Sequence, residues 1–175
     1  MIATIMHALQ TLRLTLRPLS PDDAPFILQL LNEPSYLRYI GDKNVRTLSD
    51  AAHYIATGPV ATYAKHNFGL LQVQLNDATK TPIGISGVLQ RDTLPAPDLG
   101  FAFLPAYWHK GYAHEAATAV LHDARTRLHL PRLLAITNTD NHASIQLLQK
   151  LGFLFDRVIH LTPTAPATNL FSLTL

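Results

Sequence analysis

The chain has 175 residues, enough for one domain that buries roughly two-thirds of its unfolded surface. Its 47% hydrophobic and 15% charged content excludes a disordered polymer, and 14 basic against 12 acidic residues, a net charge of +2, is too balanced for a nucleic-acid footprint. Lacking cysteine, it can form no disulfide, thiolate metal site or cysteine nucleophile.

Residues 1–10 are apolar but carry no basic leader pattern, and no apolar run approaches the ~18 residues of a membrane span. The expectation is a cytoplasmic protein with no membrane partner. Residues 12–17 alternate apolar and polar side chains, the pattern of a half-buried strand, which Pro18 limits. Ser20, Pro21, Asp22 and Asp23 then read as a helix start, with a capping hydroxyl, a proline at the first helical position and acids in the first turn. Phe26, Leu28, Leu30 and Leu31 carry that helix to about Asn32. Thr47 to Asp50 start a second helix, expected to break or bend around Gly58 and Pro59. A second strand over 68–75, a turn over 76–80 and a third strand over 82–90 follow. A proline-containing loop over 92–97 leads to a fourth strand over 98–104.

A long helix over 112–129 places Ala113, Ala116, Ala117, Val120, Leu121 and Ala124 on one face. Pro131 ends it, and a fifth strand over 132–138 precedes a helix over 141–150 with Gly152 in the C-cap position. Strands over 153–161 and 169–175, separated by a Pro- and Thr-rich loop over 162–168, finish the chain. No repeat or long linker divides residues 1–175, so a single α/β (or α+β) domain with one mixed sheet and helices on both faces is expected.

The most informative stretch is Tyr107-Trp108-His109-Lys110-Gly111-Tyr112-Ala113-His114-Glu115-Ala116. Here a strand feeds a glycine-containing turn that opens a helix. Such a turn leaves backbone N–H groups unpaired at the positive end of the helix dipole, which makes it an anion site suited to a phosphorylated ligand. Glu115 fits a first-turn acid or the partner of a basic residue. The nine histidines are scattered; His114, His122 and His129 share a helix but have no acidic or cysteine companions, so no metal site is expected. Neither a Walker motif nor Gly-x-Gly-x-x-Gly occurs, which argues against an NTPase or a nicotinamide enzyme.

That stretch, with Asn138-Thr-Asp-Asn141-His-Ala-Ser144-Ile-Gln-Leu-Leu-Gln-Lys-Leu-Gly152-Phe153 and the opening Leu12-Arg13-Leu14 to Arg17-Pro18-Leu19, resembles the GNAT superfamily of acyl-CoA-dependent N-acyltransferases. Within it, the RimJ/RimL type (ribosomal-protein-alanine N-acetyltransferase-like) is the most similar branch. Two positions depart from the superfamily's pyrophosphate motif. Trp108 stands where Gln or Arg is usual, and His109 stands where Gly is usual, which a side chain tolerates only if the backbone there avoids a positive φ.

The resemblance implies a mostly antiparallel seven-stranded sheet, splayed between strands four and five to admit pantetheine. It implies acetyl-CoA as co-substrate, with the amides of His109, Lys110, Gly111, Tyr112, Ala113 and His114 on the pyrophosphate, and Phe103 and Leu104 pairing with pantetheine. Asn141 caps its helix and, with Asn138, is a further candidate cofactor contact. Ser144 is the candidate general acid, or hydrogen-bond donor, to the departing thiolate. Asp98 is the candidate base for the amine, with a water relay as the alternative.

The function implied is an acetyl-CoA-dependent N-acetyltransferase whose acceptor is a protein N-terminus or a small-molecule amine. The alternative is a non-catalytic acyl-CoA-binding sensor or subunit. The acceptor pocket is expected from the first two helices, residues 33–45 (with Tyr36, Arg38 and Tyr39) and the loop over 162–168. The terminal strands could pair across a homodimer.

Overall fold

A computed structural model describes residues 6–175. Its eight strands are β1 (Leu9–Gln10), β2 (Leu14–Pro18), β3 (Leu70–Leu75), β4 (Pro82–Leu89), β5 (Asp98–Phe103), β6 (Arg132–Asn138), β7 (Leu154–Ile159) and β8 (Thr168–Thr174). They form one sheet in the order β1-β2-β3-β4-β5-β6-β8-β7. Every neighbouring pair is antiparallel except β5 and β6. The count is one above the expected seven because the two-residue β1 pairs with β2, too short to leave an alternating signature. The last strand inserts between β6 and β7, so β7 and not the terminal strand forms the sheet edge.

The helices are α1 (Ala24–Leu31), α2 (Pro34–Tyr39), α3 (Leu48–Ile55), α4 (Ala61–His66), α5 (Tyr112–Thr126) and α6 (His142–Lys150). The Ser20 start opens a short 3-10 turn, Pro21–Asp23, and the Asp23 carboxylate accepts the Ser20 N–H at 2.8 Å. Thr47 caps α3 in a reciprocal box: its hydroxyl accepts from the Asp50 N–H at 3.1 Å while the Asp50 carboxylate accepts from the Thr47 N–H at 2.9 Å. The break expected at Gly58-Pro59 is instead a π-helical turn over Ala56–Val60. Pro59 has no N–H for the helical ladder, and the wider turn passes the chain on into α4. Helix α2 was not apparent in the pattern; Pro34 occupies its first turn. Helix α5 stops at Thr126 rather than His129, whose φ of 51° is left-handed. Gly152 follows α6 at φ 91°, as a C-cap glycine does. Among the described residues no helix is long and apolar enough to cross a membrane.

The sheet separates two apolar layers. On one face α5 buries Ala116, Ala117, Val120 and Ala124, small side chains that let the helix lie close to Leu14, Leu16, Val73 and Phe103, while α6 adds Leu148. On the other face α1 and α3 bury Phe26, Ile27, Leu30 and Ile55 with Ile85 and Leu104.

One interruption in the sheet positions the site. The β4–β5 ladder runs from Gly84↔Phe103 to Leu89↔Asp98, and the β6–β8 ladder from Arg132↔Thr174 to Asn138↔Thr168. Between β5 and β6 the only register pair is Asp98↔Leu134, adjoined by a bond from the Leu134 N–H to the Pro97 carbonyl at 2.9 Å. Beyond it the strands part, as expected for the fourth and fifth strands of the sequence reading. Unpaired backbone then faces a V-shaped opening with Asp98 at its apex.

Candidate active site

A cleft of about 2150 Å³ fills this opening and continues over both faces. Typical pockets for one small ligand hold about 300–1,000 Å³, so the space accommodates two reactants. The start of α5 borders it at one end, the first turn of α6 lies beside it, and α2, α3 and Asp98 border it at the other.

Glu115 makes the first intrahelical amide bond of α5, to the Gly111 carbonyl at 3.0 Å. Among the described residues the amides of His109, Lys110, Gly111, Tyr112, Ala113 and His114 have no backbone or side-chain acceptor; all these residues except Lys110 line the cleft. This is a donor set for an anion at a helix N-terminus. Gly111 adopts φ 81°. His109 adopts φ 59°, so a side-chain-bearing residue here takes the left-handed backbone that favours glycine. For a side-chain-bearing residue this costs about 1 kcal/mol. The Lys110 ammonium lies 5.5 Å from the centre of the Tyr107 ring.

The turn is anchored by side chains that sequence reasoning did not assign to the site. Trp108, in the place of the usual Gln or Arg, donates its indole N–H to the Phe103 carbonyl at 2.8 Å and ties the turn to the end of β5. Arg13 donates from Nε to the Glu115 carboxylate at 2.7 Å and from Nη1 to the Lys110 carbonyl at 3.0 Å, and its guanidinium stacks 4.5 Å from the centre of the Tyr112 ring. Glu115 also accepts from the Arg13 N–H at 2.9 Å and the Thr11 hydroxyl at 2.6 Å. Burial alone would push the Glu115 carboxyl up, but the bonds from Thr11 and Arg13 outweigh it and hold the group below its ordinary range. The alternating Leu-Arg-Leu pattern marked Arg13 only as a strand's polar face, and the contact across 102 positions left no local signal.

Along the open edge of β5 one expectation needs correcting. The Leu104 N–H donates to the Ile83 carbonyl of β4 at 2.9 Å, and its side chain is buried in the α1–α3 layer. Its amide therefore cannot pair with a ligand in the cleft. By the alternation of an antiparallel ladder, Phe101 and Phe103 aim their backbone groups at the opening. The Phe103 carbonyl is taken by Trp108, leaving its N–H facing the cleft.

At the start of α6 the Asn141 side chain accepts from the Ser144 N–H at 3.2 Å, an N-cap. Ser144 is half-buried and lines the cleft, and among the described residues its hydroxyl has no protein partner. Asn138 also lines the cleft and donates to the Arg38 carbonyl at 3.3 Å. Arg38 and Asp140 form an ion pair at 2.9 Å that joins α2 to the β6–α6 turn.

At the apex, the Asp98 side chain is 1% exposed, and both its oxygens accept from Arg91 Nε, at 3.0 and 3.2 Å. Burial pushes the Asp98 carboxyl up and Arg91 pulls it partly back, leaving it above the ordinary range. The Tyr36 and Tyr54 phenols border the same end of the cleft, and burial raises both. Lys43, Tyr39, Ala165 and Pro166 complete this end, drawing on both segments expected to form the acceptor pocket. Arg91 lies outside those segments, and Lys43 and Tyr54 lie within the expected segments without having been singled out. A hairpin register across the loop over 92–97 would have set Arg91 near Asp98.

The site thus pairs a helix start with unpaired amides and a narrow, half-open strand edge, an arrangement that suits a long phosphorylated ligand. Residues 13–154 match the model of the acetyltransferase (GNAT) domain. The uncharacterized N-acetyltransferase YoaA of Bacillus subtilis (strain 168) is 28% identical over 171 residues, covering 94% of this chain and 95% of that protein. An acetyltransferase from Agrobacterium tumefaciens str. C58 has a crystal structure that superposes with a TM-score of 0.81 at 26% identity, over 98% of this chain and 96% of that one. RimL, a ribosomal L7/L12 α-N-protein acetyltransferase solved in complex with coenzyme A, shares the fold with a TM-score of 0.77 at 12% identity, over 97% and 98% of the two chains. The chain belongs to the GNAT acetyltransferase family. It is an enzyme that transfers acetyl groups.

Proposed function

We propose that the chain transfers the acetyl group of acetyl-CoA to a primary amine, on a protein N-terminus or a small molecule, by direct attack on the thioester. The observation that carries this reading is the row of unpaired amides at the start of α5, opening onto the cleft where β5 and β6 part. Acetyl-CoA supplies an activated acyl group and a thiolate as leaving group. The amides from His109 to His114 bind its pyrophosphate, and the Phe103 N–H on the open β5 edge binds the pantetheine arm. Asn141 and Asn138 stand beside that path.

An attacking amine must lose a proton, since an alkylammonium titrates near ~10. Asp98 accepts that proton, directly or through one water; its raised carboxyl lies closer to neutrality than an exposed aspartate. The Ser144 hydroxyl donates to the departing sulfur, held at the first turn of α6 by the Asn141 cap. Buried Tyr36 of α2 and half-buried Tyr54 of α3 keep water from the acceptor end.

The test is thiol release from acetyl-CoA in the presence of an amine panel, run beside a thermal-shift titration with NAD and ATP as controls. A ligand at a hundred times its Kd stabilises the fold by about 2.7 kcal/mol. A shift with acetyl-CoA alone, accompanied by amine-dependent thiol release, is expected. A shift without release to any amine would favour a non-catalytic acyl-CoA sensor, and no shift would remove the cofactor assignment.

A further inference from the structure

Charges lining the cleft are mostly spent on one another. Arg13 pairs with Glu115, Arg127 with Asp123, and the lining Asp140 with Arg38 of α2. The acceptor end differs. Arg91 meets Asp98 through Nε alone, so both terminal amino groups of its guanidinium have no protein acceptor among the described residues. The Arg91 side chain is 37% exposed and lines the cleft, whereas the Asp98 that pins it is 1% exposed. The result is a planar fork of free donors on a buried support, the geometry that recognises a carboxylate. Lys43 lines the same end and has no ion-pair partner among the described residues. Burial, and after it the positive charge of Arg91, pull its ammonium below the ordinary lysine range. The Tyr36 and Tyr54 phenols border the same space.

We infer that Arg91 and Lys43 form an anion subsite, and that the acceptor is an amine whose own molecule carries a carboxylate, as an amino acid does. This rests on the transferase reading above and narrows its acceptor class. The arrangement is geometrically coherent for an α-amino acid, in which ammonium and carboxylate stand on one carbon. The Arg91 fork would take the carboxylate while the amine faces the adjoining Asp98. An anion there also relieves the repulsion between Arg91 and Lys43.

The experiment compares L-amino acids with their matched α-amides as acceptors at constant pH, measured as kcat/KM for thiol release. Spermidine and a peptide with a blocked C-terminus and an acidic second residue serve as further arms. Wild type is expected to prefer the free acid in each matched pair by about tenfold, the effect of charge-assisted bonds to one carboxylate. Lys43→Gln is expected to narrow that ratio several-fold, and Arg91→Lys to narrow it through loss of the fork. Lys65→Gln on α4 serves as the exposed control. Transfer to the acidic peptide with poor use of free amino acids would still support the subsite and assign its carboxylate to a peptide. Equal use of acids and amides, preference for spermidine (drawn by cleft-lining Glu33), or a ratio unmoved in Lys43→Gln would overturn the proposal. Calorimetry with N-acetyl amino acids and their amides reads the same subsite without turnover. If nothing is acetylated, the transferase reading fails, and the subsite stands or falls on whether wild type binds the acid more tightly and Lys43→Gln erases the difference.

Discussion

At the α5 end of the cleft the groups offered to a ligand are backbone amides, whereas at the Asp98 end they are side chains drawn from α2, α3, β5 and the segment after β4. The first end is determined by local geometry: a glycine at φ 81°, a strained His109 at φ 59° and the first turn of a helix. Its side chains stand behind it, with Arg13, Glu115 and Trp108 bracing the turn while the unpaired amides open onto the cleft. The second end is determined by tertiary structure, since Asp98, Arg91, Tyr36 and Tyr54 meet only once the hairpin and the α2–α3 layer are in place. In the proposed reaction the backbone end would recognise what all substrates share, the phosphates of the acyl carrier. A side-chain site can vary from one relative to the next and so carries acceptor choice.

The sharpest way to separate the two ends is to remove the group proposed to act only in the chemical step. Ser144→Ala is expected to lower kcat by roughly 100-fold while leaving the acetyl-CoA Kd nearly unchanged, as single-turnover kinetics beside calorimetry would reveal. Unaltered turnover would take Ser144 out of the mechanism. Next in size, Gly111→Asp attacks the backbone end. A Cβ there would stand 3.2 Å from an Arg13 nitrogen, in a backbone conformation that favours glycine, and the new carboxylate would oppose the phosphates. Acetyl-CoA affinity should fall about tenfold or more, equivalent to at least ~1.4 kcal/mol, with wild-type binding refuting the placement.

A smaller effect concerns the brace. Glu115→Ala removes an acceptor shared by Thr11 and Arg13 and should cost about 1 kcal/mol of stability, discounted because Arg13 is substantially exposed. Acetyl-CoA affinity should fall with it; a purely structural role would lower Tm and spare the Kd. The same brace has a pH signature. The folded-state carboxyl of Glu115 lies below its ordinary value, so its stabilisation is present above the unfolded pKa, near ~4.3, and is lost as pH falls through the lowered folded one. Asp23 behaves alike: burial opposes ionisation, but Arg17, the Ser20 N–H and Gln72 outweigh it. Acid titration of stability should therefore be shallower in Glu115→Gln than in wild type below about pH 4.5. Smallest of all, His109→Gly should raise Tm by at most a few degrees, because relief of left-handed strain is offset by the entropy of an added glycine.

The same contrast explains what could be read from the chain. The turn from Tyr107 to Ala116, the Asn141 cap and Gly152 were legible because each is a local rule: helix start, helix cap, left-handed terminus. So was the order of strands and helices, apart from β1, the short α2 and the insertion of β8 between β6 and β7, which depends on pairing across the sheet. The direction of Leu104 was misassigned because strand periodicity names the two faces of a strand but not which neighbour each amide bonds. Arg13 with Glu115, and Arg91 with Asp98, were invisible as pairs because neither ion pair follows a helical spacing; the first spans the chain and the second needs the register of a hairpin.

The most direct test of the central claim, that backbone amides at the start of α5 hold the phosphates of the acyl carrier, compares the binding of acetyl-CoA and S-acetylpantetheine by calorimetry. The two share the thioester and the pantetheine arm, and only the first carries the nucleotide and its pyrophosphate. The structure leads us to expect that S-acetylpantetheine binds at least a hundredfold more weakly, a gap of about 2.7 kcal/mol, and that Gly111→Asp closes most of it. Equal affinity for the two ligands would mean that the α5 turn holds no phosphate, and the assignment of that end of the cleft would be wrong.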